Sequence, residues 1–137
     1  MVLLGHSRGG NQTACFAAER DYPVINKVVL IAPQTWDKDK DAADYEKKYA
    51  KPLAPVLARA NDLVAKKQGD AMLENIDFIY CSDTSASASA VVSYYNPEPR
   101  LDSIYLLPKI GKPVLVFVGS EDKVSQGLAD RMAPAAE

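Results

Sequence analysis

Cysteine and histidine are scarce in this chain of 137 residues, which contains two cysteines and one histidine. Cys15 and Cys81 are too few for a disulfide framework and do not have the spacing of metal ligands. Acidic and basic residues nearly cancel, leaving a formal net charge of -2. The charge therefore gives no basis for binding nucleic acid or an anionic membrane surface. The sequence implies no metal and no cofactor.

Long apolar runs are also missing from the chain. None approaches the roughly 20 residues that a membrane-spanning helix needs. Only four residues precede Gly5, and these are too few for the core of a signal peptide. We therefore expect a soluble protein in a reducing, cytoplasmic setting, without a membrane partner.

Three short apolar runs are typical of buried parallel strands. They are residues 1–4, 27–33 and 113–119. A helix-compatible stretch, 11–20, lies between the first two runs and ends at the breaker Asp21-Tyr22-Pro23. This order predicts an α/β fold with a parallel sheet and right-handed crossovers. The continuous, β-branched run 27–33 further predicts a strand that is covered on both faces.

The interval between the second and third strands predicts helices. The charged run 37–41 is either a loop or an exposed first turn of a helix. From residue 53 to residue 64, apolar residues recur at steps of three and four, as on one face of a helix. A short second helix is predicted over 70–80 and a third over 82–95, which Asn96-Pro97 would end.

These patterns predict two regions. The first is a core of strands and flanking helices that comprises residues 1–35 and 109–137. The second is a helical insertion that comprises residues 36–108.

The most informative motif is Gly5-His6-Ser7-Arg8-Gly9-Gly10, between the first strand and the first helix. G-x-S-x-G in that context is typical of a nucleophilic serine at a sharp strand-to-helix turn. We expect Gly5 and Gly9 to be required because the turn leaves no room for a Cβ at either position, and we expect strained backbone at the serine. The helix amino terminus would favour an oxyanion nearby. The alternative is a glycine-rich turn without chemistry.

The sequence also contains a strand ending in Ala32-Pro33, a helical insertion and the segment LPKIGKPVLVFVGSEDKV. Together with the motif around Ser7, these features resemble the carboxy-terminal half of an α/β-hydrolase with a helical cap. The resemblance implies a partial α/β-hydrolase fold, with three parallel strands, flanking helices and a cap that selects substrates. It implies a serine hydrolase acting on small-molecule esters or other acyl compounds. Ser7 matches the nucleophile, the Arg8 N–H matches half of the oxyanion hole, and Asp122 matches the triad acid.

The position of Asp122 supports this role independently. It follows the third strand, and parallel sheets bind ligands at the carboxyl ends of their strands, where Ser7 also lies. Glu121 is the neighbouring alternative, and a helix N-cap or an ordinary loop acid is the interpretation without chemistry.

The catalytic base is missing from the expected place. The order of the triad in this fold is serine, acid and histidine, yet no histidine follows Asp122. The single histidine, His6, precedes the serine, where the turn would direct its side chain away from Ser7. The part of the oxyanion hole that an earlier strand would supply is absent as well. We therefore expect the chain alone to be inactive or weakly active.

Three explanations are open: a fragment of a complete enzyme, a domain that assembles with a second copy or another chain, and a non-catalytic remnant that binds a ligand. In each case the first and third strands would be exposed apolar edges that something else covers. A ligand pocket would be lined by aromatic or polar side chains, for which His6, Trp36, Tyr94 and Tyr95 are weak candidates. Such aromatic residues are more often part of the core than of a pocket.

Overall fold

A computed structural model of the chain describes residues 1–96, 98–122, 125 and 128–132. The chain divides into two compact units. The sheet unit consists of Met1–Trp36 and Glu98–Glu137, and the insert unit consists of Asp37–Pro97. None of the described helices is long and apolar enough to cross a membrane.

The sheet unit alternates strands with helices along the chain. Its elements are β1 (Val2–His6), α1 (Ser7–Glu19), β2 (Lys27–Ile31), a 3-10 turn (Pro99–Leu101), α5 (Ser103–Leu106), a second 3-10 turn (Leu107–Lys109), β5 (Val114–Phe117) and α6 (Leu128–Met132).

The three strands form one parallel sheet in the order β1-β2-β5. His6 lies opposite Ile31, and Ile31 lies opposite Phe117. All three strands therefore end at the same edge of the sheet. The predicted α/β class, with three parallel strands and flanking helices, is confirmed, and β1 and β5 are the two edge strands.

One face of this sheet carries the core of the unit. Val28 and Leu30 of β2 pack with Ala14 of α1 and with Leu106 and Ile110 at and after α5. The opposite face presents large apolar side chains to solvent among the described residues. These are Val2, Leu4, Leu115 and Phe117. The expectation that the second strand is covered on both faces is met on one face, where Val28 and Leu30 are buried, whereas Val29 and Ile31 on the other face are only half-buried among the described residues.

The insert unit contains helices and a β-hairpin. Its elements are α2 (Lys38–Tyr49), α3 (Ala54–Ala65), β3 (Met72–Phe78), β4 (Cys81–Ser87) and α4 (Ala88–Tyr95). The charged run 37–41 begins α2, because Asp37 caps the helix by accepting hydrogen bonds from the N–H groups of Asp39 and Lys40. The helix predicted over 53–64 is confirmed as α3.

The helices predicted over 70–80 and 82–95 are wrong, except that α4 forms the end of the second one. In their place, β3 and β4 pair antiparallel, with irregularities between Leu73 and Ile76 and between Ile76 and Phe78. Asn75, between the first pair, has a left-handed φ of 53°. The extra residue of such a bulge moves the buried positions from a spacing of two to a spacing of three, and this spacing resembles that of a helix.

The boundary of the insertion also differs from the predicted 36–108. Residues 98–108 belong to the sheet unit. They do so because Leu106 lies in the core beneath the sheet and because the Arg100 carbonyl accepts a hydrogen bond from Asn11 of α1.

The core of the insert unit is rich in tyrosine. Tyr45 and Tyr95 are buried and meet edge to face, with ring centroids 5.7 Å apart. The Tyr45 hydroxyl donates to the Asp77 carbonyl at 2.9 Å, and the Tyr49 hydroxyl donates to the Ile79 carbonyl at 3.0 Å. The tyrosine rings thus supply apolar packing area, while their hydroxyl groups satisfy backbone groups at the end of the hairpin.

Replacing a leucine by alanine should lower the stability of the protein by different amounts on the two faces of the sheet. Leu30 is 0% exposed and Leu115 is 54% exposed. Leu30→Ala should lower the free energy of unfolding by about 3 kcal/mol because it leaves a cavity. Leu115→Ala should lower it by less than about 1 kcal/mol. Urea unfolding of the two variants checks this, and equal losses would show that the Leu115 face is covered.

The pKa of Asp41 predicts that the stability of the insert unit depends on pH. Burial, helped by the nearby carboxylates of Asp44 and Asp37 and opposed by Lys40, raises the pKa of Asp41 to about 6. The folded state therefore favours the protonated carboxyl, so stability falls as the pH rises from about 4 through 6. Asp41→Asn should stabilise the protein by about 1 kcal/mol at pH 8, after allowance for solvent screening, and little at pH 4.

Thermal unfolding at both pH values measures this difference. Asp39→Asn is the matched control, because Asp39 is an exposed acid on the same helical turn. A gain from Asp41→Asn that is equal at pH 4 and pH 8 would contradict the prediction.

Candidate active site

Ser7 lies at the bend between β1 and α1. His6 is the last residue of the strand and Ser7 is the first residue of the helix. The φ of Ser7 is 52°, in the left-handed region that residues other than glycine rarely adopt. Such strain persists only where the surrounding structure holds it, and it is concentrated at functional sites. The strand, bend and helix that the motif predicts are all present.

The glycines of the motif differ in what they contribute. A Cβ at Gly5 would overlap the Thr13 side chain and lie 2.5 Å from the Gly9 carbonyl oxygen. A Cβ at Gly10 would lie 3.0 Å from Cα of Pro33, which is tighter than an ordinary contact. A Cβ at Gly9 would meet nothing within 4 Å among the described residues. The expectation that the turn has no room for a Cβ at Gly9 is therefore wrong, and Gly10 has the close neighbour instead.

The amino end of α1 lies directly at the bend. His6 occupies the N-cap position in extended conformation, and its side chain makes no capping hydrogen bond. The Arg8 N–H belongs to the first helical turn, whose N–H groups point out of the helix. The helix dipole and these N–H groups favour negative charge at this end.

Asp122 follows β5, which ends at Phe117. Its N–H donates to the Gly119 carbonyl at 3.1 Å, and its Oδ2 accepts from the Ser125 hydroxyl at 2.6 Å. Ser125 is fully buried, so the carboxylate is held by a fixed donor. Glu121, the alternative acid, is exposed.

The sheet brings Ser7 and the turn that carries Asp122 to one edge. β1 and β5 are separated by β2 alone, so their ends lie about 10 Å apart, which is two strand spacings. His6, the single histidine of the sequence, is exposed at the end of β1.

The residues predicted to line a pocket lie in different surroundings. Trp36 is half-buried, and its indole Nε1 is buried without a hydrogen-bond partner among the described residues. Tyr95 lies in the core of the insert unit, where its hydroxyl oxygen accepts from the Ile79 N–H at 3.0 Å. Burial raises the pKa of Tyr95. Tyr94 is half-buried, and its ring contacts Phe78 and Tyr95.

The sequence analysis missed three polar residues near the bend: Asn11, Gln34 and Ser103. The Gln34 N–H donates to the Ser7 carbonyl at 2.9 Å, and Asn11 and Ser103 are both buried. Asn11 is a polar residue in a helix whose other buried members are Gly10, Ala14 and Ala17. That is the only signal the sequence offers, and it does not identify a partner.

Metal binding has no support in the described residues, which contain no group of three or more histidine, cysteine, aspartate or glutamate side chains that could hold an ion. Comparison of the chain with protein-family models and with curated proteins finds no match. The geometry of the bend and of the sheet edge is therefore the basis for assigning a function.

The surroundings of Gly5 and Gly9 predict that replacing each by alanine affects stability differently. Gly5→Ala should destabilise the protein by about 2 kcal/mol or more because the new methyl group meets Thr13 and backbone. Gly9→Ala should leave stability unchanged or raise it by about 0.5 kcal/mol, because alanine is the better helix former. Thermal unfolding of both variants measures the difference. A larger loss from Gly9→Ala than from Gly5→Ala would show that the bend is packed differently.

Proposed function

We propose that the chain is part of a serine hydrolase of the α/β-hydrolase type, with Ser7 as nucleophile. The observation that carries the proposal is the φ of 52° at a serine between a parallel strand and a helix amino terminus. The spacing of the motif, the small space around Gly5 and the position of Asp122 after β5 support it.

The chemistry would begin with attack of Ser7 Oγ on a carbonyl carbon, while a general base accepts the hydroxyl proton. The carbonyl oxygen would become an oxyanion at the amino end of α1, where the Arg8 N–H would supply one of its donors. Collapse of this intermediate would break the bond to the alcohol, which takes the proton back from the base, and leave Ser7 acylated. Water would then attack the acyl group while the base accepts its proton, and return of that proton to Ser7 Oγ would release the acid.

Asp122 would orient the imidazole of the base and stabilise its charged form. The sequence carries no histidine after Asp122, so within these 137 residues the proposed site has a nucleophile and an acid but no base in the expected order. An added imidazole can test this arrangement, because it can accept a proton without being part of the chain.

Labelling with a fluorophosphonate probe tests the role of Ser7. We expect the probe to attach at Ser7, and Ser7→Ala to abolish that adduct. Ser120→Ala is the matched control, because Ser120 is an exposed serine after β5 at the same edge. Mass spectrometry of digested protein identifies the labelled residue. An adduct distributed over several serines, or an absence of adduct at Ser7 even when imidazole is added as the base, would reject the hydrolase proposal.

Added imidazole should accelerate labelling of Ser7 by about tenfold or more, as expected for a general base. The acceleration should appear as the added imidazole loses its proton, which occurs near neutral pH, close to the range in which a histidine side chain titrates. The rate of adduct formation measured between pH 5.5 and 8.5 checks this. Acceleration that does not depend on pH would contradict the role of imidazole as a base.

A further inference from the structure

The strained bend at Ser7 is tied by its carbonyl group to the segment that follows β2. The Gln34 N–H donates to the Ser7 carbonyl oxygen at 2.9 Å. Gln34 comes directly after Pro33, which is fully buried and lies against Gly10 of α1. Ala32 in the same segment has a left-handed φ of 42°. The donor to Ser7 is therefore fixed by a tightly packed, non-regular segment.

Gln34 is held in turn by the first residue of α5. The Ser103 hydroxyl donates to the Gln34 carbonyl at 2.6 Å, and the Ser103 N–H donates to the same oxygen at 3.3 Å. Ser103 is 0% exposed. A buried hydroxyl without partners would be costly, and this one has a short bond to the residue that holds Ser7.

Asn11 connects Ser103 to α1, the helix that begins at Ser7. Its Nδ2 donates to Ser103 Oγ at 3.3 Å and to the Arg100 carbonyl at 3.0 Å. Asn11 is 5% exposed and comes four residues after Ser7, about one helical turn further along α1. A closed circuit of contacts therefore runs by hydrogen bonds from Ser7 to Gln34, Ser103 and Asn11, and along the backbone of α1 back to Ser7.

We infer that Asn11 and Ser103 are positioning residues for the Ser7 nucleophile, acting through the backbone of Gln34. This inference rests on the proposed function of Ser7. The circuit joins three segments that are distant in the sequence: α1, the residues that follow β2 and the start of α5. Ser7, the strained residue, belongs to this circuit. A strained backbone persists when its surroundings determine it at several points, and Gln34, Ser103 and Asn11 are three such points around Ser7. Neither Asn11 nor Ser103 touches a substrate in this role.

The test compares the rate at which the fluorophosphonate probe, with added imidazole as the base, labels Ser7 in the native chain and in two variants. Ser103→Ala removes the hydroxyl at the centre of the circuit, and we expect it to slow labelling by about tenfold, because small displacements of a nucleophile are costly. Asn11→Ala leaves the bond from Ser103 to Gln34 in place, and we expect it to slow labelling by about threefold or more. If Ser103→Ala does not fold, Asn11→Ala carries the test.

Two controls separate positioning from a general loss of stability. Asn61→Ala removes an amide pair in the insert unit, where Asn61 and Asn96 exchange hydrogen bonds of 3.2 Å and 3.0 Å. Ser85→Ala removes an exposed serine hydroxyl on β4. All rates are measured at a temperature at which circular dichroism shows every variant to be folded. We expect both controls to label at the native rate, even where Asn61→Ala lowers the melting temperature as much as Asn11→Ala does.

Slower labelling in Ser103→Ala and Asn11→Ala, with native rates in both controls, supports the positioning role. Native rates in all folded variants overturn it and leave the proposed function intact. Equal slowing in Asn11→Ala and Asn61→Ala also overturns it, because stability alone would then explain the rates. Absence of the Ser7 adduct in the native chain is a different result, since it rejects the proposed function and this inference with it.

Discussion

Parallel pairing of β2 with β1 on one side and with β5 on the other is the constraint on which the sheet unit depends. It brings the carboxyl ends of all three strands to one edge, and therefore brings Ser7 and the turn of Asp122 to that edge. Without this pairing the two residues would be separated by most of the chain. The proposed chemistry therefore depends first on the parallel direction of the strands, and only then on the individual side chains.

The strand order also determines which face of the sheet is covered. The chain moves from β1 to β2 to β5 in one direction across the sheet, and right-handed crossovers then place both connecting helices on the same face. Ala14 of α1 and Leu106 of α5 accordingly share one core with Leu30. The other face keeps Leu4 and Phe117 exposed among the described residues. Apolar surface of this kind marks an interface or an aggregation hazard.

The bend at Ser7 shows how backbone strain and packing depend on one another. A left-handed serine costs of order 1–3 kcal/mol, which the surrounding contacts must offset. Gly5 leaves room for Thr13, Gly10 leaves room for Pro33, and the Gln34 N–H satisfies the Ser7 carbonyl. The first of these contacts joins α1 to β1, and the other two join α1 to the segment that follows β2. The reactive geometry proposed for Ser7 is therefore a property of the folded unit and not of the pentapeptide.

The sequence by itself determined the local patterns: three apolar strands, the helix after Ser7, the helix α3 and the glycine motif at the bend. These follow from composition and spacing over a few residues, so they can be read without the rest of the chain. Tertiary structure decided that residues 70–87 contain a hairpin, because the bulge near Asn75 gave strand residues a helix-like spacing. It also decided that a Cβ at Gly9 would meet nothing within 4 Å among the described residues and that Asn11 meets Ser103. Such contacts join segments distant in the chain, and no local pattern records them.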